Sequence, residues 1–335
     1  MVRCKRTDKP QFPKHIFRLR DIEYPEAIFM AIVKTDVPMT YELCEQTILK
    51  LAETYPFLRT EVLTETHFGR NIRALVIGNG PRKVIYSASH HANEWITTPL
   101  ILKFVEELAQ AIQNGGEIFG VNAKTIADTA TIYTVPMVNP DGVDLVTGAI
   151  QPGNEQYERA KQLAEFYPAI PFPDGWKANL LGVDLNLQYP AGWLQAREIK
   201  FSQGFTRPGP RDYVGRAPLD QRESRVLAGY TEYIDPALVL AFHSQGKEIY
   251  WTFDGIQVPG ARELGERFSQ VSGYTLTEPA AVSSYAGYKD WFIKVFRRPG
   301  YTIEVGSGTN PLPLTQFDEI YRDNLGILVT AAMGE

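Results

Sequence analysis

The chain has 335 residues, of which 44% are hydrophobic, and its 34 Lys and Arg against 39 Asp and Glu give a formal net charge of −5. This composition is that of a folded protein and excludes a disordered chain, a collagen-like repeat and a coiled coil. The mild acidity argues against a nucleic-acid partner, and no apolar run reaches the roughly 18 residues that a membrane span needs. Two cysteines are too few for a disulfide framework.

The N-terminal segment is basic, because residues 1–20 hold seven Lys and Arg against Asp8 alone. No apolar stretch of a secretory signal follows these charges, so we expect a cytoplasmic protein, with a spore compartment or non-classical export as alternatives. We predict a basic N-terminal arm over residues 1–38. No break in composition divides the remainder, which predicts one domain over residues 39–335.

The first half of that domain alternates predicted helices with predicted strands. Residues 41–54 have the apolar spacing of a helix that Thr40 would cap, with an apolar stripe made of Leu43, Ile48, Leu49 and Leu51. The pattern then predicts, in chain order, strand 71–77, strand 83–88, helix 95–113 and strand 131–138. The motif Asn139-Pro-Asp-Gly142 is expected to end the last of these strands.

The second half opens with a long segment, residues 145–216, whose Pro, Gly and aromatic residues predict mostly loop with a short helix near 155–166. The elements predicted beyond it are helix 219–233, strands 237–242, 248–252 and 301–305, and a closing helix 316–333. Strand 237–242 is apolar on both faces, which is typical of a central strand covered by helices. The alternation predicts an α/β fold with a mixed central sheet flanked by helices.

Three residues at predicted strand ends have the chemistry of a zinc site. His91 and Glu94 lie three residues apart just after one strand, and His243 directly follows another. Polar groups at the carboxyl ends of central strands meet where α/β sheets bind ligands, and zinc accepts imidazole nitrogen and carboxylate oxygen. Each residue alone fits a hydrogen-bonded core position equally well, but together they predict one catalytic Zn²⁺ with three protein ligands. His90 is expected to point elsewhere and support the site.

A fourth candidate, Glu304, stands inside the apolar run Tyr301-Thr-Ile-Glu-Val-Gly306. A charged side chain in such a strand is costly unless it is paired or functional. A carboxylate near a metal suits the general base that takes a proton from water and returns it to the leaving amine. The alternatives are a position at the edge of the sheet and an ion pair with Lys or Arg.

Five motifs occur in the order seen in zinc carboxypeptidases of the M14 class, which this chain resembles over residues 40–335: His91-Ala-Asn-Glu94, Asn139-Pro-Asp-Gly142, Gly182-Val-Asp-Leu-Asn186, His243-Ser and Thr302-Ile-Glu304. The strings Trp176-Lys-Ala-Asn179 and Gly287-Tyr-Lys-Asp-Trp291 resemble the bacterial γ-D-glutamyl-L-diamino acid endopeptidases most. The resemblance implies a zinc-carboxypeptidase-like single domain with one Zn²⁺ on His91, Glu94 and His243, and Glu304 activating water.

The same resemblance implies a substrate and its contacts. The substrate would be a peptidoglycan-derived peptide, cut at its γ-D-glutamyl–meso-diaminopimelyl bond, with no obligate protein partner evident. Asn186 matches a substrate-binding asparagine, and Lys177 matches the arginine that polarises the scissile carbonyl. Tyr285 matches the mobile tyrosine that covers bound substrate, with Tyr288 as the alternative. Exopeptidases grip a terminal carboxylate with an arginine at the position of Leu187, so its absence here disfavours an ordinary carboxypeptidase.

One further residue, Lys289, falls near the position that lines the side-chain specificity pocket. We hypothesise that its ammonium group binds the side-chain carboxylate of diaminopimelate, the alternative being a solvated helix residue.

Two other functions stay open on the sequence. One is a metallocarboxypeptidase or deacylase with a different substrate on the same site, and the other is a non-catalytic peptide-binding protein.

Overall fold

The structure is a computed structural model, and it describes residues 31–280 and 284–334. Residues 1–30 of the predicted N-terminal arm lie outside the described residues. Among the described residues of the predicted arm, Ile32 and Val33 donate their backbone N–H groups to the Glu106 carboxylate at 2.6 and 3.2 Å. Among the described helices, none has both the length and the apolar character to cross a membrane.

The strands and helices follow one another with short connections in the first half of the domain and longer ones after it. The described strands are β1 (Arg59–Glu65), β2 (Asn71–Ile77), β3 (Arg82–Ala88), β4 (Glu117–Ile118), β5 (Val121–Asn122), β6 (Ala130–Val135), β7 (Leu238–Ser244), β8 (Glu248–Tyr250), β9 (Thr275–Thr277) and β10 (Gly300–Val305). The described α-helices are α1 (Tyr41–Thr54), α2 (Thr97–Asn114), α3 (Ala123–Thr129), α4 (Pro140–Val146), α5 (Glu155–Ala164), α6 (Trp193–Ser202), α7 (Arg222–Ile234), α8 (Ala261–Ser272), α9 (Tyr288–Phe296) and α10 (Phe317–Met333).

The main sheet has eight strands in the order β1-β2-β6-β3-β7-β10-β8-β9, and β4 and β5 form a separate pair. The central strands β6, β3, β7 and β10 are parallel, whereas β2 pairs antiparallel with β6 and β8 pairs antiparallel with β10. The predicted mixed α/β sheet is therefore confirmed. Parallel central strands bring their carboxyl ends to one edge, and that edge carries the polar residues singled out above.

Strand β7 divides the hydrophobic core between the two faces of the sheet. Leu238, Leu240 and Phe242 pack with residues of α2 and α10, whereas Val239 and Ala241 pack with residues of α7 and α9. All five are at most 1% exposed. Burial of a Leu, Val or Phe side chain contributes roughly 1.5–3 kcal/mol to the stability of the fold. The packing of β7 therefore fixes the position of the residues at its end.

Helix α1 shows how far the apolar spacing predicts a helix face. The helix begins at Tyr41 and the Thr40 hydroxyl accepts the Leu43 N–H at 3.2 Å, as predicted. The predicted stripe is wrong at Leu49, which is 50% exposed. The buried residues are Cys44, Thr47, Ile48 and Leu51. They follow the spacing i, i+3, i+4, i+7, so the small Cys and Thr side chains complete the buried face.

Several elements were not predicted from the sequence. Strand β1 contains only exposed and half-buried residues, so its apolar pattern is weak. Helix α4 starts within the motif that was predicted only to end a strand, because the Asn139 side chain caps the helix and Pro140 occupies its first position. Helix α6 lies inside the segment predicted as mostly loop.

Candidate metal centre and active-site cleft

Two neighbouring strands bring the predicted metal ligands together. Strands β3 and β7 run parallel, with Ala88 opposite Phe242, so their carboxyl ends meet. His91 follows β3 after two residues and Glu94 closes a 3₁₀ turn over Ala92–Glu94. His243 is the sixth residue of β7. The three side chains therefore come from two strand ends that are distant in sequence and adjacent in the sheet.

The geometry of these three side chains suits a single divalent ion. His91 Nδ1 lies 2.9 Å from Glu94 Oε1, His243 Nδ1 lies 2.9 Å from Glu94 Oε2, and the two Nδ1 atoms are 3.2 Å apart. Their candidate ligand atoms all lie within 4.8 Å of one another. Two imidazole nitrogens and a carboxylate, aimed at one buried point, are a donor set that zinc accepts while leaving a coordination position open. The cluster therefore can bind one zinc ion.

The charges around the cluster keep the Glu94 carboxylate ionised, the form that binds a cation. Burial alone would raise the pKa of Glu94, but the charges of His91 and Lys177 lower it well below its usual range. Burial lowers the pKa of His243, so that imidazole is neutral. Burial also lowers the pKa of His91, but the Glu94 charge, with help from Asp184, outweighs it and raises the pKa to about 9. In the metal-free protein His91 is therefore protonated at neutral pH.

Zinc binding is expected to release at least one proton between pH 6 and 8. The ion must displace the proton on His91, whereas His243 and Glu94 have none to lose in that range. The charge of the ion also favours ionisation of the neighbouring Glu304, whose pKa burial raises to about 8 in the metal-free protein. The apparent zinc affinity is then expected to rise at least tenfold per pH unit between pH 6 and 8. Calorimetry in buffers of different ionisation enthalpy measures the released proton directly. An affinity that does not change between pH 6 and 8 would contradict the assignment of His91 as a ligand.

Each candidate ligand imidazole has a polar partner on its outer nitrogen. His91 Nε2 lies 3.2 Å from Asp184 Oδ1, and His243 Nε2 lies 3.4 Å from Asn186 Nδ2. The Asp184 carboxylate can accept the outer N–H of His91, as partners that orient metal-binding imidazoles do, whereas the Asn186 amide nitrogen is a donor. Asp184 was not singled out from the sequence, although it stands inside the motif that ends at Asn186. His90 is fully buried, as expected of a supporting residue, and its ring stacks on that of His243 with centroids 5.5 Å apart.

Strand register places Glu304 beside the cluster. β10 pairs parallel with β7, and Glu304 is the direct neighbour of His243. Glu304 lines the same cleft as His91. Burial and the charge of Glu94 raise its pKa to about 8. Its carboxylate forms no hydrogen bond or ion pair with the residues that the structure describes, so the alternative of a structural ion pair with Lys or Arg finds no support there.

Lys177 extends into the cleft from the loop before the 3₁₀ turn Leu185–Leu187. Its Nζ lies 2.9 Å from Glu94 Oε1, and its side chain is 18% exposed. Burial would lower the pKa of this amine, but the Glu94 charge, followed by that of Glu304, raises it. Lys177 is therefore an ammonium group beside the candidate ligands, where it can stabilise negative charge on a bound molecule.

The Asn139-Pro-Asp-Gly142 motif at the start of α4 connects the chain segment that carries His91 to the one that carries Lys177. Asn139 Nδ2 donates to the carbonyl oxygens of His90, Lys177 and Ala178 at 3.2, 3.3 and 3.0 Å. Its Oδ1 accepts the N–H of Gly142 at 3.1 Å. A Cβ at Gly142 would lie 2.6 Å from the Ala178 carbonyl oxygen, so this position requires glycine. The motif therefore positions the His91 and Lys177 segments and does not contribute a ligand to the metal cluster.

Replacing Asn139 by Ala is expected to destabilise the metal-free protein by about 3 kcal/mol, because buried carbonyl groups lose their donor. Denaturant unfolding with zinc removed measures this difference. Asn154→Ala is the matched control, because Asn154 caps α5 at an exposed position. Its loss is expected to cost about 1 kcal/mol. Equal destabilisation by the two substitutions would contradict the clamping role.

Of the other predicted site residues, some line the cleft and one lies in the core. Asn186 and Tyr285 line the cleft. Tyr288 is fully buried and its hydroxyl lies 2.8 Å from Thr231 Oγ1, so it is a core residue and Tyr285 is the better placed tyrosine. Leu187 also lines the cleft, packed in an apolar cluster, and supplies no charge.

Lys289 is not the solvated helix residue that the alternative reading of the sequence expected. It is 4% exposed and lines the cleft. Its Nζ lies 2.6 Å from Asp290 Oδ1 and donates to the Thr252 carbonyl oxygen. A carboxylate of the substrate would have to compete with these two partners, so the role assigned to Lys289 remains a hypothesis.

Known proteins resemble this chain in sequence and in fold. The Peptidase_M14 family model, described as zinc carboxypeptidase, matches residues 44–326. Gamma-D-glutamyl-L-diamino acid endopeptidase 1 of Lysinibacillus sphaericus is 45% identical over 289 residues, which cover 86% of this chain and 71% of that protein. Among solved structures, thrombin activatable fibrinolysis inhibitor is similar with a TM-score of 0.71 at 15% identity, covering 90% of this chain and 75% of that one. The carboxypeptidase A of Helicoverpa armigera gives 0.65 at 19% identity over the same shares. These structural likenesses confirm the predicted fold.

Proposed function

The chain belongs to the zinc carboxypeptidase family, and we propose that within this family it hydrolyses the γ-D-glutamyl–meso-diaminopimelyl bond of peptidoglycan-derived peptides. The observation that carries the reaction class is the buried His91-Glu94-His243 cluster with Glu304 beside it. The substrate class is supported by the relative at 45% identity, which is a gamma-D-glutamyl-L-diamino acid endopeptidase. We assign the activity to the domain over residues 39–335.

The absence of a guanidinium at Leu187 supports an endopeptidase over a carboxypeptidase. Leu187 packs with Trp193, Ala196 and Val214, and the neighbouring Gln188 bonds to backbone groups away from the cleft. A terminal carboxylate at this point would face an apolar side chain. Charge-assisted, two-pronged binding of the kind arginine offers is therefore absent at that position.

The reaction we propose divides between the metal and the side chains around it. His91, Glu94 and His243 would hold the ion, which supplies a Lewis acid and lowers the pKa of water. Glu304 accepts the proton of the attacking water as the new C–O bond forms. It then donates that proton to the departing amine as the C–N bond breaks. Burial raises the pKa of Glu304 in the metal-free protein, and the charge of a bound ion would lower it again, so the carboxylate could accept the proton at neutral pH and return it to the amine.

Two further side chains would stabilise and position the reacting carbonyl group. The Lys177 ammonium faces Glu94 and can turn to the developing oxyanion, where a single well-placed donor contributes about 10²–10³-fold. Asn186 is held by the Tyr288 N–H on its Oδ1, so its amide is already oriented before a substrate binds. Such preorganisation reduces the entropy lost when a substrate binds.

A mass-spectrometric cleavage assay tests this proposal. L-Ala-γ-D-Glu-meso-diaminopimelate is the substrate, and a blocked aromatic dipeptide with a free C-terminus is the control. The zinc-loaded protein is expected to release L-Ala-D-Glu and to leave the dipeptide intact, and chelation is expected to abolish release. Cleavage of the dipeptide instead would make the chain a carboxypeptidase. Zinc binding without cleavage of either peptide would favour the peptide-binding function.

A further inference from the structure

Arg211 lines the cleft and has no part in the reaction described above. The preceding residue, Pro210, accepts the N–H groups of Lys177 and Ala178 at 2.7 and 2.9 Å, so Arg211 follows a point that is tied to the Lys177 segment. Its side chain is 41% exposed. A cation is therefore held next to the residue that we assign to the scissile carbonyl, on a loop that can be reached by a ligand.

The charge around Arg211 is not balanced. Arg211 Nε and Lys200 Nζ both lie 2.6 Å from the Asp212 carboxylate, one on each oxygen. Lys200 and Asp212 are only 10% and 11% exposed, whereas the guanidinium group reaches the cleft. One carboxylate serves two cations, so this group of three residues, the Arg211 cluster, carries a net charge of about +1 at its cleft side.

The Arg211 guanidinium also has N–H donors that make no hydrogen bond to the described residues. Its only hydrogen bond to the residues that the structure describes is made by Nε, to Asp212. The nearby Asp184 carboxylate is already engaged, because Oδ1 contacts His91 and Oδ2 accepts the Asp212 N–H. Arg211 lines the cleft and its terminal N–H groups have no partner among the described residues, so this fork can bind a carboxylate in two-pronged fashion.

We propose that Arg211 binds the free α-carboxylate of the D-glutamyl residue and so makes the enzyme specific for acyl residues that carry a carboxylate. This inference rests on the proposed function. In a γ-glutamyl peptide the α-carboxylate is joined to the scissile carbonyl through three carbon atoms, whereas most α-linked peptides have no carboxylate at that distance. Lys177 faces the scissile carbonyl and Arg211 is its neighbour, so both groups are within reach of one glutamyl residue. Arg211 thus binds a carboxylate on the acyl side of the scissile bond. The apolar Leu187 cannot bind a carboxylate.

A pair of matched peptides separates this contact from a general effect of charge. One is L-Ala-γ-D-Glu-meso-diaminopimelate, and the other is the same peptide with the D-glutamyl α-carboxylate converted to a carboxamide. The wild type is expected to prefer the carboxylate peptide by about 10–100-fold in kcat/KM. Arg211→Gln is expected to remove that preference by slowing only the carboxylate peptide. Arg211→Lys is expected to keep part of it, because lysine retains the charge and loses the fork.

Arg216→Gln is the control variant, because Arg216 is exposed on the same loop and does not line the cleft. It is expected to behave as the wild type with both peptides. Thermal unfolding of Arg211→Gln checks the fold, which we expect to persist because Lys200 and Asp212 remain as a neutral pair.

Three results would overturn the inference. The first is an equal loss of activity on both peptides in Arg211→Gln, which would mark a structural or long-range electrostatic role. The second is an unchanged preference in that variant. The third is a wild type that cleaves both peptides at the same rate, which leaves the proposed function standing. If the wild type cleaves neither peptide, the proposed function fails and the inference fails with it.

Discussion

Replacing Glu304 with Gln is expected to lower kcat by about 10²–10⁴-fold while the protein keeps its zinc. Glutamine has the same shape but cannot accept a proton from water, so only the proton transfers are lost. Glu304 is not part of the His91-Glu94-His243 cluster, and no ligand atom is removed. The measurement is kcat on the γ-D-glutamyl peptide together with the zinc content of the same sample by atomic absorption.

Glu248→Gln provides the matched control for this prediction. Glu248 is the partner of Glu304 on the other neighbouring strand, and its carboxylate accepts the Tyr250 hydroxyl at 2.6 Å. The same chemical change one strand away is expected to leave kcat within a few-fold of the wild type. If Glu304→Gln turns over peptide as fast as Glu248→Gln, Glu304 is not the general base. If Glu304→Gln loses its zinc, the carboxylate has a role in the metal site that we do not assign to it.

Replacing His243 with Ala is expected to lower the bound zinc from about one ion per chain to almost none and to abolish turnover. The two donors that remain, His91 and Glu94, are too few for a catalytic zinc, which takes three protein ligands. Glu94 would also lose the His243 Nδ1 contact at 2.9 Å that helps to orient it. Zinc titration with a competing chelator and the peptide assay measure both effects.

His67→Ala is the control for nonspecific loss of a histidine, because His67 is exposed on the turn after β1. It is expected to keep both zinc and activity. Unfolding of the zinc-free His243→Ala protein shows whether the fold survives, since the His243 ring stacks on His90 in the wild type. Full zinc occupancy in a folded His243→Ala protein would show that the metal lies elsewhere.

Apolar periodicity was enough to predict the central part of the fold. Strand β7 and the Thr40 cap of α1 depend on local sequence and were predicted within a residue or two. Elements whose burial depends on neighbours were missed, because β1 is only half-buried and α6 has a weakly apolar face. The Leu49 error has the same origin, since the face of α1 that is buried is decided by the helix and strand it packs against.

The sequence by itself predicted the candidate ligands, the proposed base and the family resemblance, because His91, Glu94, His243 and Glu304 stand in or just after recognisable strands. Strand register then made His243 and Glu304 direct neighbours, which no local pattern encodes.

Only the tertiary structure decided which other polar residues lie beside the candidate ligands and the proposed base. Asp184 reaches His91 from a loop 93 residues away, and Arg211 comes from another loop still further along the chain. Tyr288 and Lys289 are adjacent in sequence, yet one is in the core and the other lines the cleft. Contacts of this kind depend on how loops pack over the sheet edge, where side-chain spacing follows neither the helix nor the strand period.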